Sequence, residues 1–90
     1  MSVQWVNYDL NKTGQNYEAL IAYLKSHNGW AKPLKSSFFV NTSLSAAELR
    51  TEIRKYIDTN DDVVVVNVDG QSWATYGLSE KLNTWLKNNI

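Results

Sequence analysis

Hydrophobic and polar positions alternate from Val3 to Tyr8, with Val3, Trp5 and Asn7 set against Gln4, Val6 and Tyr8, which is the period-two signature of a strand. Asp9 to Gln15 is polar loop sequence, and Asn16 stands where a helix N-cap belongs. Tyr17, Leu20, Ile21 and Leu24 then fall on one helical face, with a stop expected at Asn28-Gly29, where glycine accepts the left-handed conformation. Trp30 to Thr42 reads as a short hairpin, and Pro33 assigns its first arm to a sheet edge because proline cannot donate to a ladder. Ser45 and Glu48 form a capping-box pattern that opens a second helix, with Ala46, Leu49, Ile53, Tyr56 and Ile57 inward. Asp58 to Asp62 is a polar, solvated connection. Five valines in the six residues 63–68 predict a strand covered on both faces. Asp69-Gly70 is a turn, Trp73 to Gly77 has no clear period, and Leu78, Leu82, Trp85 and Leu86 form a third helical stripe running to Ile90.

The order is strand, helix, two strands, helix, strand, with an added C-terminal helix. That is the α+β, ferredoxin-like βαββαβ sandwich pattern, here as one domain over residues 1–90. Two helices of such a unit cover one sheet face. The other face, carrying Trp5 or Val6, Phe38 or Phe39 and alternate valines, needs the third helix or a second subunit over it.

Composition narrows the chemistry. Nine basic residues balance nine acidic ones, so no global field draws the chain to a polyanion. With no cysteine and a single histidine, His27, thiolate catalysis, disulfides and histidine-rich metal sites are set aside. His27 reads as a surface residue near a helix end. No apolar run approaches the roughly 20 residues of a membrane span, and the opening Met1-Ser2-Val3-Gln4-Trp5 lacks a signal-peptide pattern, so the expectation is a cytoplasmic protein without a membrane partner. A thin core in 90 residues favours oligomerisation.

Asp9 is the first candidate for chemistry. A carboxylate at a strand end either caps a turn or binds a hard cation such as Mg2+ or Mn2+, and in a homodimer the Asp9 of each subunit would supply a pair. Asp58, Asp61 and Asp62 lack the spacing of a calcium loop. Of the four tryptophans, Trp5 and Trp85 fit the core or an interface, whereas Trp73 and Tyr76 are the expected exposed pair for a protein partner.

Tyr8-Asp9-Leu10 closing the first strand, Ser37-Phe38-Phe39-Val40 and Val63-Val64-Val65-Val66-Asn67-Val68 together resemble the small ferredoxin-like proteins related to CRISPR-associated protein two. The segment from Tyr8 to Tyr17 resembles the opening of short bacterial proteins labelled SinR-family. The resemblance implies a homodimer with facing sheets and a divalent-metal-dependent nuclease centre that uses Asp9, with Ser36 or Ser37 reaching a phosphate. A tryptophan-bearing C-terminal helix departs from that family. Two other functions fit the same pattern. One is a non-catalytic protein-interaction or regulatory module. The other is a single-stranded RNA binder that stacks bases on Phe38 and Phe39, since Lys35 to Thr42 can be laid on an RNA-recognition motif.

Overall fold

The capping box forms as the sequence requires: Ser45 Oγ accepts from the Glu48 backbone N–H at 3.1 Å, and Glu48 Oε1 accepts from the Ser45 N–H at 2.9 Å. In the computed structural model, which describes residues 1–11 and 17–90, this box starts the helix Ala46–Ile53 (α2). A 3-10 turn at Arg54–Tyr56 continues it. The other elements are the strands Ser2–Asp9 (β1), Trp30–Ala31 (β2), Ser37–Thr42 (β3) and Asp62–Asn67 (β4), with the helices Glu18–Lys25 (α1) and Glu80–Asn89 (α3). The cap expected at Asn16 lies outside the described residues.

The strands make a four-stranded sheet in the order β2-β3-β1-β4, with every neighbouring pair antiparallel. β1 is central and pairs Val6 with Phe38 on one side and with Val65 on the other. β2 is an edge strand of two residues, consistent with Pro33 just beyond it. The Lys32 ammonium closes the connection to β3 by donating to the Leu34 and Lys35 carbonyls.

Alternation along the strands separates two faces. Val6, Tyr8, Phe38 and Val40 pack with Leu20 and Leu24 of α1 and Leu49 and Ile53 of α2 in a continuous core. Burying each of these side chains contributes about 1.5–3 kcal/mol. Trp5 and Phe39 project from the opposite face and stack at 5.5 Å, with Trp85 of α3 6.2 Å from Phe39. The third helix is therefore what lies over this part of the second face. Ser79 caps α3, its Oγ accepting from the Leu82 N–H.

Three local expectations are corrected. Helix α1 stops at Lys25, before Asn28-Gly29, with Ser26 still right-handed and its N–H and hydroxyl both donating to the Tyr23 carbonyl. Gly29 has no positive φ. It lies beside β3, exchanging backbone bonds through Asn28 and Asn41. The valine strand is not covered on both sides. Val63 and Val65 pack against the core, while Val64 and Val66 are 60% and 43% exposed on an edge strand. The reason is positional: α3 meets the sheet over β1 and β3, and β4 lies beyond it. His27 is not a free surface cation either. It is half-buried with its ring edge-on to Tyr23 at 4.9 Å, and burial pushes its pKa below the ordinary value.

Gly70 and Gly77 both have positive φ, and Gly70 forms the expected turn after β4, where the Gln71 N–H donates to the Val68 carbonyl. Among the described residues no helix is long and apolar enough to cross a membrane.

Candidate functional site

Asp9 ends β1, and the β1–β4 register places it directly opposite Asp62, the first residue of β4. Directly opposed residues share a sheet face, so the two carboxylates project to the same side. Both are exposed. The Val68 N–H donates to the Val3 carbonyl, and because antiparallel pairs alternate, Asp9 and Asp62 also form a hydrogen-bonded pair with Cα atoms about 5.5 Å apart. Like charges in this arrangement repel, and no hydrogen bond or ion pair engages either carboxylate among the described residues.

The turn-capping role considered for Asp9 is performed by another residue. Asp61, read from sequence as part of a solvated connection, is largely buried. Its Oδ1 accepts from the Asn11 N–H at 2.7 Å, and its Oδ2 accepts from the Tyr17 hydroxyl and the Asp58 N–H, each at 2.8 Å. Asn11 Nδ2 adds a bond to the Asn60 carbonyl at 2.7 Å. Asp61 thus ties the end of β1 and the approach to α1 onto the loop before β4, and it sets the position of the adjacent Asp62. The sequence signal for this was the run of polar residues at 58–62, but nothing in its composition distinguished the anchoring aspartate from its exposed neighbours.

Asp62 also lines a shallow groove with Arg50 and Arg54, two exposed cations one helical turn apart. The donor set at the strand end is oxygen from carboxylates, which suits a hard cation that completes its shell with water and substrate phosphate. Among the described residues no group of three or more His, Cys, Asp or Glu side chains is placed to hold a metal. Ser37, expected near a phosphate, is buried with its hydroxyl unpartnered, whereas Ser36 is exposed.

The second candidate surface lies on the α3 face. Trp5, Phe39, Leu86 and Ile90 floor an apolar cleft of about 370 Å³, bordered by the irregular segment that carries Trp73 and Tyr76. Trp73 is partly exposed and Tyr76 fully so, as expected of the pair. Phe38 and Phe39 do not share this surface. Phe38 is 0% exposed in the core beneath the helices, and Phe39 is half-buried between Trp5 and Trp85. Consecutive strand residues point to opposite faces, so the pair cannot form one stacking platform.

No protein-family model, curated protein or solved structure matches this chain.

Proposed function

We propose that this chain is a ferredoxin-like domain that works as a homodimer and carries out divalent-cation-dependent cleavage of a phosphodiester, with Asp9 and Asp62 as the cation-holding carboxylates. The strand order β2-β3-β1-β4, with α1 and α2 on one face, supports the ferredoxin-like assignment. The observation that carries the functional reading is the opposition of two exposed, unengaged carboxylates at the end of the central strand. A repulsive pair that no side chain among the described residues neutralises is accounted for by a cation shared between the two carboxylates. Mg2+ or Mn2+ there would polarise a phosphodiester and lower the pKa of a water. Asp62 of the same chain replaces the second Asp9 that the family resemblance implies.

The test is cleavage of single- and double-stranded RNA and DNA with Mg2+, Mn2+ or EDTA, for the native chain and for Asp9→Ala and Asp62→Asn. The expected result is metal-dependent cleavage lost in both variants. Cleavage that persists in Asp9→Ala, or no cleavage of any of these substrates by the native chain, sinks the reading.

A second reading, a non-catalytic protein-interaction module, is favoured by Trp73 and Tyr76 at the rim of the apolar cleft. It requires a partner whose binding weakens at least about tenfold in Trp73→Ala or Tyr76→Ala.

A further inference from the structure

We propose that two copies of this chain join through the free edge of β4, in antiparallel register about Val65, to make one continuous sheet. This rests on the homodimer reading above and is independent of the cation chemistry.

Because the Val68 N–H donates to Val3, the even-numbered residues of β4 direct their N–H and C=O groups toward β1. Those of Val63, Val65 and Asn67 point the other way, to an edge where no described strand pairs. Sheet edges are normally guarded by lysine, proline, a bulge or an inward-pointing charge. Here the edge is a run of four valines, with Val64 and Val66 exposed on one face. An unguarded apolar edge of this kind is a template for another strand.

A second copy satisfies it. With the two-fold axis at Val65, each Val65 pairs with its symmetry mate and each Val63 with Asn67 of the other copy, so all three outward residues are bonded on both strands. Val64 then lies opposite Val66 of the other copy, twice over, and each exposed valine covers another. Sliding the axis to Val64 would leave Asn67 opposite Asp61, which is outside the strand and whose N–H already donates to the Asp58 carbonyl. The favoured register also keeps the two Asp62 carboxylates at opposite ends, ~20 Å apart along the strands. The face-to-face alternative meets an obstacle, because α3 lies over Phe39 and Trp5 on the face such a dimer would use.

The arrangement has a consequence for the cation site. Three strand spacings and the axial offset separate the two Asp9 residues by ~25 Å, so each site is complete within one chain through its own Asp62.

The chain has no cysteine, so engineered thiols report unambiguously. Val64→Cys and Val66→Cys proteins are oxidised separately and as an equimolar mixture, and the native mass is measured by sedimentation at ~100 μM, a concentration at which even weak self-association is populated. The expected result is a native dimer and a disulfide between Val64→Cys and Val66→Cys chains, formed at least about tenfold faster than either self-pairing. Val64→Lys combined with Val66→Lys should raise the dimer dissociation constant at least about tenfold while leaving the circular dichroism spectrum unchanged. A native monomer overturns both this inference and the homodimer reading, and leaves the edge to a strand from another protein. A native dimer that shows no preference for the mixed disulfide, or that survives the lysine variant, overturns the β4 edge alone.

Discussion

Asp9 and Asp62 face one another across β1 and β4 as two exposed carboxylates on one side of the sheet, with no described side chain neutralising either. Removing one charge should relieve the repulsion. In EDTA, Asp62→Asn is expected to raise Tm by about 1–5 °C. Adding Mn2+ should raise the Tm of the native chain and leave that of the variant unmoved, because a ligand that binds the folded state stabilises it by mass action. Thermal melts with and without Mn2+ check both arms, and equal Mn2+ shifts in the two proteins would refute a shared site.

Asp61 should behave in the opposite way to its neighbour. Its carboxylate accepts from Asn11, Tyr17 and Asp58, so Asp61→Ala removes the acceptor of three part-buried donors and should cost about 2–3 kcal/mol in urea denaturation. Tyr17→Phe, which deletes one of these bonds, should cost about 1 kcal/mol. If Asp61→Ala were as mild as a surface substitution, the anchoring role would be wrong.

The two aromatic candidates from the sequence should separate by energy. Phe38→Ala opens a cavity in the core between the sheet and the helices and should cost about 3–5 kcal/mol. Tyr76→Ala removes a fully exposed ring, and stability should change by less than about 0.5 kcal/mol. Any loss of RNA binding in Phe38→Ala would consequently report unfolding, so the stacking hypothesis has to be tested at exposed rings.

His27 supplies a pH dependence. Its folded-state pKa lies below the ordinary value because burial disfavours the imidazolium, so the unfolded chain binds the proton more tightly. Its contribution to stability is complete above pH ~6.5 and declines as pH falls from there toward the lower folded-state value. Glu48, whose carboxylate accepts from the Ser45 N–H, is shifted down and contributes above the ordinary carboxylate value, with losses confined to more acidic solution. Denaturant midpoints between pH 5 and 8 should therefore slope for the native chain and flatten in His27→Gln. An unchanged slope in that variant would assign the dependence to other groups.

What could be read from sequence was what local chemistry decides. The Ser45 and Glu48 capping box, the apolar stripe of α1, the edge position forced on β2 by Pro33 and the Asp69-Gly70 turn all depend on residues a few positions apart. The errors share a different cause. Whether Val64 and Val66 are covered depends on where α3 comes to rest, and the distinction between Asp61 and Asp62 depends on Asn11 and Tyr17 arriving from across the chain. Asp9 was visible as a strand-end acid, but its companion Asp62 emerges from the pairing register, which a valine run with apolar residues on both faces leaves open.

The central place of β1 also governs how the sheet closes. β1 has no hairpin partner; its neighbours are β3 and β4, each separated from it along the chain by at least one helix. Both pairings of β1 close long loops, so the sheet forms more slowly than the local helices α1 and α2. Until β1 pairs with it, the valine run of β4 is a strand without a template, and the arrival of β1 withdraws one of its two edges from aggregation.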